Sequence, residues 1–255
     1  MRISIKHHYF IIKIFLKNKT LTLSPRMFQQ AAGLFTAVSA PVPESTTEQK
    51  PTPDLGSDCA LALSSLCLAQ AQELVLRKAI QDQKKGAVVS KIAAQGALMY
   101  RETARLMAVP SVKALLARDW AATCAGKAML CGGLANWFAA RPARDEAKYG
   151  EEVARLQLSR DMLAEARDKL PAQARDGDLD SWVETVGAGL EASKKDNDLI
   201  YLERVPAAED LPEISGAVVV KAVPLAEKFL ADQTDIFVRM PIFDPTAKKS
   251  ECIIS

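Results

Sequence analysis

The chain has 255 residues, of which 49% are hydrophobic, 25% charged and 6% aromatic, with 12 Gly and 13 Pro. This composition is typical of one mostly helical globular domain, or at most two, and excludes collagen-like, low-complexity and disulfide-stapled proteins. The net charge is +2, but residues 1–26 hold six basic residues and no acid. The remainder has a net charge of −4 (27 − 31), so we expect no binding to nucleic acid.

Histidine is confined to the first segment, as His7 and His8. Catalysis and metal binding through imidazole are therefore not available to the rest of the chain. Glycine-rich phosphate loops and nucleophile elbows are also missing from the sequence, so we expect no enzyme activity, no catalytic residues, no cofactor and no metal. Five cysteines form no C-x-x-C pair, and free buried thiols in a reducing cytosol are expected at four of them: Cys59, Cys67, Cys124 and Cys131.

Residues 1–25 have no assigned role and are not expected to belong to the fold. Their apolar run Tyr9–Leu16 is interrupted by Lys13. A signal peptide requires an unbroken apolar stretch with a cleavage site, and a membrane span requires about 20 apolar residues. Neither is predicted here.

Hydrophobic periodicity predicts six helices and then an extended tail. Ser57 or Asp58 is expected to cap the second helix, which is apolar on nearly all sides and therefore central. Pro142 is expected to end the fourth. Beyond Leu199 several prolines separate short apolar runs, which must pack on the helices. The predicted helices are Arg26–Ala40, Asp58–Lys84, Gly86–Met107, Ser111–Ala140, Asp145–Leu170 and Leu179–Asp196.

Long helices joined by short breaks predict a mostly α fold, an antiparallel helical array with a tetratricopeptide-like centre plus the extended C-terminal tail. The 34-residue tetratricopeptide consensus itself is absent.

Two sets of polar residues are candidate sites. Gln70, Gln72 and Glu73 lie inside the apolar second helix, where they form either a hydrogen-bond network between helices or, less favoured, a ligand site. Carboxylate groups such as Glu151 and Glu152, or the aspartates of residues 176–180, are interpreted as solvated surface charges.

Several segments, in register along the chain, resemble the Bro domain of the Alix and Brox type. The resemblance extends from FQQAAGLF (28–35) to KFLADQTDIFVRM (228–240). Between them lie SLCLAQAQELVLRKA (65–79), AVVSKIAAQ (87–95), KYGEEVARLQ (148–157) and KKDNDLIYLERVP (194–206).

The resemblance implies a helical, banana-shaped domain of which residues 26–240 supply the middle and back, without the front part that carries a small sheet. Residues 241–255 are then a linker with a C-terminal C-a-a-X box. The implied function is that of a non-enzymatic adaptor of the ESCRT and multivesicular body pathway, cytoplasmic and peripheral on endosomal membranes. Its implied partner is the C-terminal amphipathic helix of an ESCRT-III subunit of the charged multivesicular body protein type.

The positions that match the family's apolar binding patch are Val75, Val88 and Ile92. Val88 and Ile92 are one helical turn apart, so they project from the same face, a spacing that suits recognition of a helix in a groove. Some relatives have a larger aromatic residue at the position of Val75. Interpretation of the three residues as ordinary core is the alternative.

Two modification sites are also implied. Tyr201 matches a tyrosine-kinase target of some relatives, although packing at the junction of the sixth helix and the tail is favoured. Cys252 begins the box Cys-Ile-Ile-Ser, whose terminal Ser favours a farnesyl group, as in Brox-like members that end in a prenylation signal. The alternative to the adaptor is a generic helical-repeat scaffold, or a nonproductive fragment, that binds no ESCRT-III subunit.

Overall fold

The computed structural model describes residues 24–39, 56–116, 119–175 and 178–224. Within these ranges no strand occurs, and the prediction of a mostly α array is confirmed. Short 3₁₀ turns lie at Ala172–Ala174 and Ala208–Asp210, and a π-helical turn at Asn197–Tyr201. The helices are α1 (Ser24–Val38), α2 (Ser57–Gln81), α3 (Gly86–Met107), α4 (Pro110–Lys113), α5 (Trp120–Asp145), α6 (Tyr149–Lys169) and α7 (Asp178–Asp196).

The long helices pack in order: α1 on α2, α2 on α3, α3 on α5, α5 on α6 and α6 on α7. The second helix is central, as predicted, because it packs against neighbours on both sides. Among the described residues it is also the one helix long and apolar enough to cross a bilayer, but 61% of its apolar window is buried inside the protein. These properties are those of a core helix.

The prediction that Ser57 or Asp58 caps α2 is wrong. Gly56 occupies the N-cap position and no side chain caps the helix. Asp58 instead accepts a hydrogen bond from the Ser111 hydroxyl at 2.8 Å. The side chain therefore ties the start of α2 to α4 rather than satisfying its own helix.

The fourth predicted helix is also corrected. Pro110 begins the one-turn helix α4, and the long helix α5 starts only at Trp120 and continues past Pro142 to Asp145. Proline deprives one carbonyl of its helical donor, yet the next turn keeps its bonds, since the Glu146 amide donates to the Pro142 carbonyl at 3.0 Å. The following helix begins at Tyr149 instead of Asp145 because Ala147, with φ of 57°, reverses the chain.

Small residues on α5 allow α6 to approach closely. A Cβ added at Gly133 would lie 2.8 Å from Leu163 Cγ, and the Ser159 hydroxyl donates to the Gly133 carbonyl at 2.8 Å. Leu163 is fully buried, which stabilises the fold by about 2 kcal/mol for a side chain of this size. The α5–α6 contact is therefore one that a larger residue at position 133 would disturb.

A buried carboxylate joins α2, α3 and α5. Glu73 accepts hydrogen bonds from the Tyr100 hydroxyl, from Arg77 at 2.8 Å and from Lys127 Nζ at 2.8 Å. Burial opposes its ionised form, but the two cations and the hydrogen bonds from Lys127 and Tyr100 hold the pKa of the Glu73 carboxyl well below its usual range. Burial, followed by the Glu73 charge, raises the pKa of Tyr100. For Gln72 and Glu73 the prediction of an interhelical network is confirmed.

A second buried carboxylate corrects the interpretation of Glu152 as a surface charge. Its side chain accepts a hydrogen bond from the Ser193 hydroxyl of α7 at 2.7 Å and forms an ion pair with Arg144 at 3.2 Å. Glu152 is only 6% exposed. It is buried because α6 is covered by α7 on that face, a contact that the charge pattern of one helix does not reveal.

The chain leaves α7 through a hydrogen-bonded turn. The Asn197 side chain donates to the Glu203 carbonyl at 2.9 Å and accepts from the Glu203 amide at 3.2 Å, and Leu202 adopts a left-handed φ of 52°. Tyr201 stacks on Tyr149, with ring centroids 3.4 Å apart. The turn then directs the chain back toward α3 and α2.

Residues 211–224, which we call the strap, follow as extended chain without helix or strand. Arg155 donates to the Pro212 carbonyl at 2.9 Å, the Ala217 amide to the Lys91 carbonyl at 2.9 Å, and the Val223 amide to the Gln29 carbonyl at 2.9 Å. The strap therefore crosses from α6 over α3 to α1.

Candidate functional site

The α2–α3 hairpin carries the three residues predicted to bind a partner. Val75 lies in the penultimate turns of α2, Val88 in the first turn of α3 and Ile92 one turn later. The side-chain amide of Gln72 donates a hydrogen bond to the Ile92 carbonyl at 3.0 Å. Because α2 and α3 are joined by a short turn and meet at this bond, Val75 and Val88 lie at the same level of the hairpin.

The three residues differ in accessibility. Val88 is 47% exposed, whereas Ile92 is 6% exposed and belongs to the hydrophobic core. Val75 is half-buried and packs against the same core. Val88 therefore provides most of the accessible apolar area of the three, and Ile92 provides little.

The strap adds a residue that the sequence did not single out. Val219 is 46% exposed, and its amide donates to Gln72 Oε1 at 3.3 Å. Since Gln72 also contacts α3, this bond places Val219 beside the hairpin. We call Val75, Val88, Ile92 and Val219 the docking surface. The sequence signals were the short apolar run of residues 218–220 and a glutamine inside an apolar helix, but neither indicated that the two segments meet.

Charged residues lie next to the docking surface on the side of the hairpin turn. Lys84, Lys85 and Lys91 are exposed, and Lys78 pairs with Asp82 at 2.6 Å. The rim is thus mainly basic. It fits a ligand that carries acidic residues next to an apolar face.

An open groove of about 610 Å³ extends along the same two helices. Leu61 and Leu68 of α2 and Leu98 and Leu106 of α3 line it. Gly216 of the strap packs against Gln95 at one end of this groove. The groove is therefore adjacent to the docking surface but separated from it by the strap.

The remaining predicted sites lie elsewhere. Tyr201 is half-buried in the stacked pair with Tyr149, and Cys252 lies outside the described residues. Among the part of the chain that the structure describes, no group of three His, Cys, Asp or Glu side chains could hold a metal ion.

The buried cysteines have no reactive environment. Burial raises the pKa of Cys67 to about 11 and that of Cys124 and Cys131 to about 12. A thiol with such a pKa is not a nucleophile near neutral pH. These residues fill space in the core.

An apolar surface on a helical hairpin is thus bordered by an extended segment and a basic rim. The BRO1-like domain family model matches residues 16–243. The chain belongs to the BRO1-like domain family.

Similar proteins are longer than this chain. It is 34% identical to Apoptosis-linked gene 2-interacting protein X 1 of Caenorhabditis elegans over 217 residues, and 31% identical to human Programmed cell death 6-interacting protein over 224 residues. These alignments cover 85% and 86% of this chain but 24% of each relative. The chain therefore spans about a quarter of the curated relatives that it matches.

A solved structure of the ALIX BRO1 domain in complex with CHMP4C has a similar fold. The TM-score is 0.75 at 29% sequence identity, and the match covers 86% of this chain and 60% of the other. ALIX in complex with a late-domain peptide, PYKEVTEDL of SIVmac239, matches with a TM-score of 0.74 at 29% identity, covering 85% of this chain and 30% of the other. The helical array is therefore that of the BRO1 domain.

Proposed function

We propose that this protein is a non-enzymatic adaptor of the ESCRT pathway that binds the C-terminal amphipathic helix of an ESCRT-III subunit on its docking surface. The observation that carries the proposal is the exposed Val88 on a hairpin that also carries half-buried Val75 and that binds the strap residue Val219 through Gln72. Such a surface accepts the apolar face of a helix, and its basic rim complements acidic flanks. The similar ALIX BRO1 domain, whose structure contains CHMP4C, supports this choice of partner.

The proposal is tested with a synthetic peptide of the CHMP4C C-terminal helix, titrated against the full chain by isothermal calorimetry. Val88→Asp places a carboxylate in the apolar contact, where losing its hydration costs about 2 kcal/mol or more. At about 1.4 kcal/mol per decade, the affinity should fall by at least roughly 30-fold.

Leu98→Asp is the matched control. Leu98 lies on the same helix and is 45% exposed, close to the 47% of Val88, but it lines the groove beyond the strap. Equal loss of binding in both variants would point to a general charge effect, and no binding by the unmodified chain would favour a scaffold or nonproductive fragment. Ile92→Asp is not a clean test, because burying a carboxylate at that core position destabilises the fold.

We also propose that a farnesyl group on Cys252 contributes to membrane attachment, so that the protein is cytoplasmic and peripheral on endosomal membranes. The support is the sequence Cys-Ile-Ile-Ser at residues 252–255. One lipid chain gives only reversible attachment, and binding of membrane-assembled ESCRT-III would supply the second contact.

Intact-mass measurement of the protein from eukaryotic cells tests this second proposal. The expected result is a farnesyl adduct with loss of the last three residues, and cytosolic redistribution of Cys252→Ser. An unmodified C-terminus, or endosomal recruitment that Cys252→Ser does not change, would contradict it.

A further inference from the structure

The strap has few means of holding its position. It forms no strand, and prolines lie at both its ends, Pro212 and Pro224. Val218 and Val219 are exposed, and Val220 is the one residue of its apolar run that is buried. Apart from buried Val220 and partly buried Ile214, which packs against the core, its placement over the helices depends on a small set of hydrogen bonds.

Gln72 supplies the central ones. Its Nε2 group donates to the Ile92 carbonyl at 3.0 Å and to the Ala217 carbonyl at 2.9 Å, and its Oε1 atom accepts from the Val219 amide at 3.3 Å. The side chain is fully buried. One amide thus satisfies two backbone groups of the strap and anchors them to α3 at the base of the docking surface.

A second glutamine repeats this arrangement on α1. Gln29 Oε1 accepts from the Lys221 amide at 3.1 Å, and the Gln29 carbonyl accepts from the Val223 amide at 2.9 Å. The amides of Ala217, Val219, Lys221 and Val223, every second residue from 217 to 223, therefore donate toward the helices. This is the alternation of an extended chain, with glutamines and helix carbonyls in place of a neighbouring strand.

We propose that Gln72 is a positioning residue: it fixes the strap so that Val219 completes the docking surface, and it thereby sets the affinity for the partner helix. This inference rests on the proposed function. An amide is the side chain that suits the position, because the two strap groups require one donor and one acceptor from the same buried group. Glutamate lacks the donor, and methionine lacks both.

Gln72→Met tests the inference with little change of volume. Hydrogen exchange of the full chain, followed by NMR, should show faster exchange at the amides of Val219 and Ala217 by at least about tenfold, with the amides of α5 and α6 unchanged. Affinity for the CHMP4C helix peptide should fall by about tenfold or more. A merely structural role would instead accelerate exchange throughout the core.

Gly33→Ala releases the strap without altering Gln72. A Cβ at Gly33 would overlap the backbone carbonyl of Val223, whereas alanine favours the helix α1 itself. Loss of strap protection and of affinity in this variant cannot then come from a weakened helix. Gly187→Ala is the matched control, since nothing lies within 4 Å of a Cβ at Gly187.

The outcomes separate this inference from the proposed function. Strap protection retained in Gln72→Met, or strap release in both variants with unchanged peptide affinity, would overturn the positioning role. If the unmodified chain binds no peptide, the proposed function fails and with it the role in binding, while hydrogen exchange still decides whether Gln72 fixes the strap.

Discussion

Replacing Glu73 by glutamine tests whether the buried charge network holds the helical array together. The substitution keeps the shape and still accepts a hydrogen bond from Tyr100, but it removes the carboxylate charge that Lys127 and Arg77 contact at 2.8 Å. Their side chains are 13% and 27% exposed, so water replaces the lost charge interaction only in part. Breaking a buried ion pair costs about 3–5 kcal/mol, and we expect the lower end because Arg77 is close to the surface.

The pH dependence of this loss has a defined sign. Burial opposes ionisation of Glu73, but Lys127 and Arg77 hold its pKa in the folded protein below the unfolded value, which is about 4.3. The carboxylate therefore contributes its full stability above about pH 5, and the contribution is lost as the pH falls through the unfolded value toward the folded one. The deficit of Glu73→Gln should be largest near neutral pH and shrink below about pH 4.

Urea unfolding followed by circular dichroism measures the deficit at each pH. At neutral pH a loss of about 3 kcal/mol corresponds to a melting temperature lower by roughly 6–12 °C for a chain of this size. Glu102→Gln is the control, because Glu102 forms an exposed pair with Arg105 and its removal should leave the melting temperature unchanged. A Glu73→Gln protein as stable as the unmodified one, or a deficit equal at about pH 7 and pH 3.5, would refute the reasoning.

Three further predictions concern packing, thiols and the stacked turn. Gly133→Ala should destabilise the fold by about 1–2 kcal/mol in urea unfolding, since overpacking against Leu163 exceeds the helix-propensity gain; an increase in stability would contradict the α5–α6 contact. The buried thiols, with pKa values of about 11–12 for Cys67 and Cys124, should react with Ellman's reagent at about pH 8 only after denaturation. Tyr201→Phe should keep the ring stack and the melting temperature, whereas a phosphate on Tyr201 should disrupt the pair and change the fluorescence of Tyr149.

Much of the helical array follows from local pattern. The apolar periodicity of α3, with Val89, Ala93 and Tyr100 on one face, predicts the helix with the bounds observed, Gly86–Met107. Those residues are buried because one stripe must face the neighbouring helices. The spacing of apolar residues and the positions of helix-breaking residues were sufficient to predict a helix that is amphipathic and has a breaking residue at each end.

Predictions were wrong where tertiary contacts overrode a local signal. Pro142 indicated a helix end, but buried Ala140 and Ala143 keep the last turn of α5 in place. Glu152 resembled a surface charge, but Arg144 and Ser193 come from other helices to meet it. No pattern within one helix carries that information.

The candidate site illustrates the same limit. The resemblance identified Val75, Val88 and Ile92, but the accessible areas differ because Ile92 faces the core. The contribution of Val219 depends on a bond between residues 147 positions apart in the chain. Such a contact depends on the path that the strap takes across the helices. No local pattern in the sequence of an extended segment predicts that path.

The docking surface thus combines two kinds of stability. Its hairpin walls belong to a packed core, in which Ile92 and the residues around Val75 are held by burial. Its third wall is held by the hydrogen bonds of the buried Gln72 side chain and by those to Lys91 and Gln29, each contributing only about 1 kcal/mol net. A partner helix that contacts Val219 as well as Val88 would itself restrain the strap, so binding and strap order should reinforce each other. Strap amides should therefore become more protected when the peptide binds, and the gain should be largest at Val219.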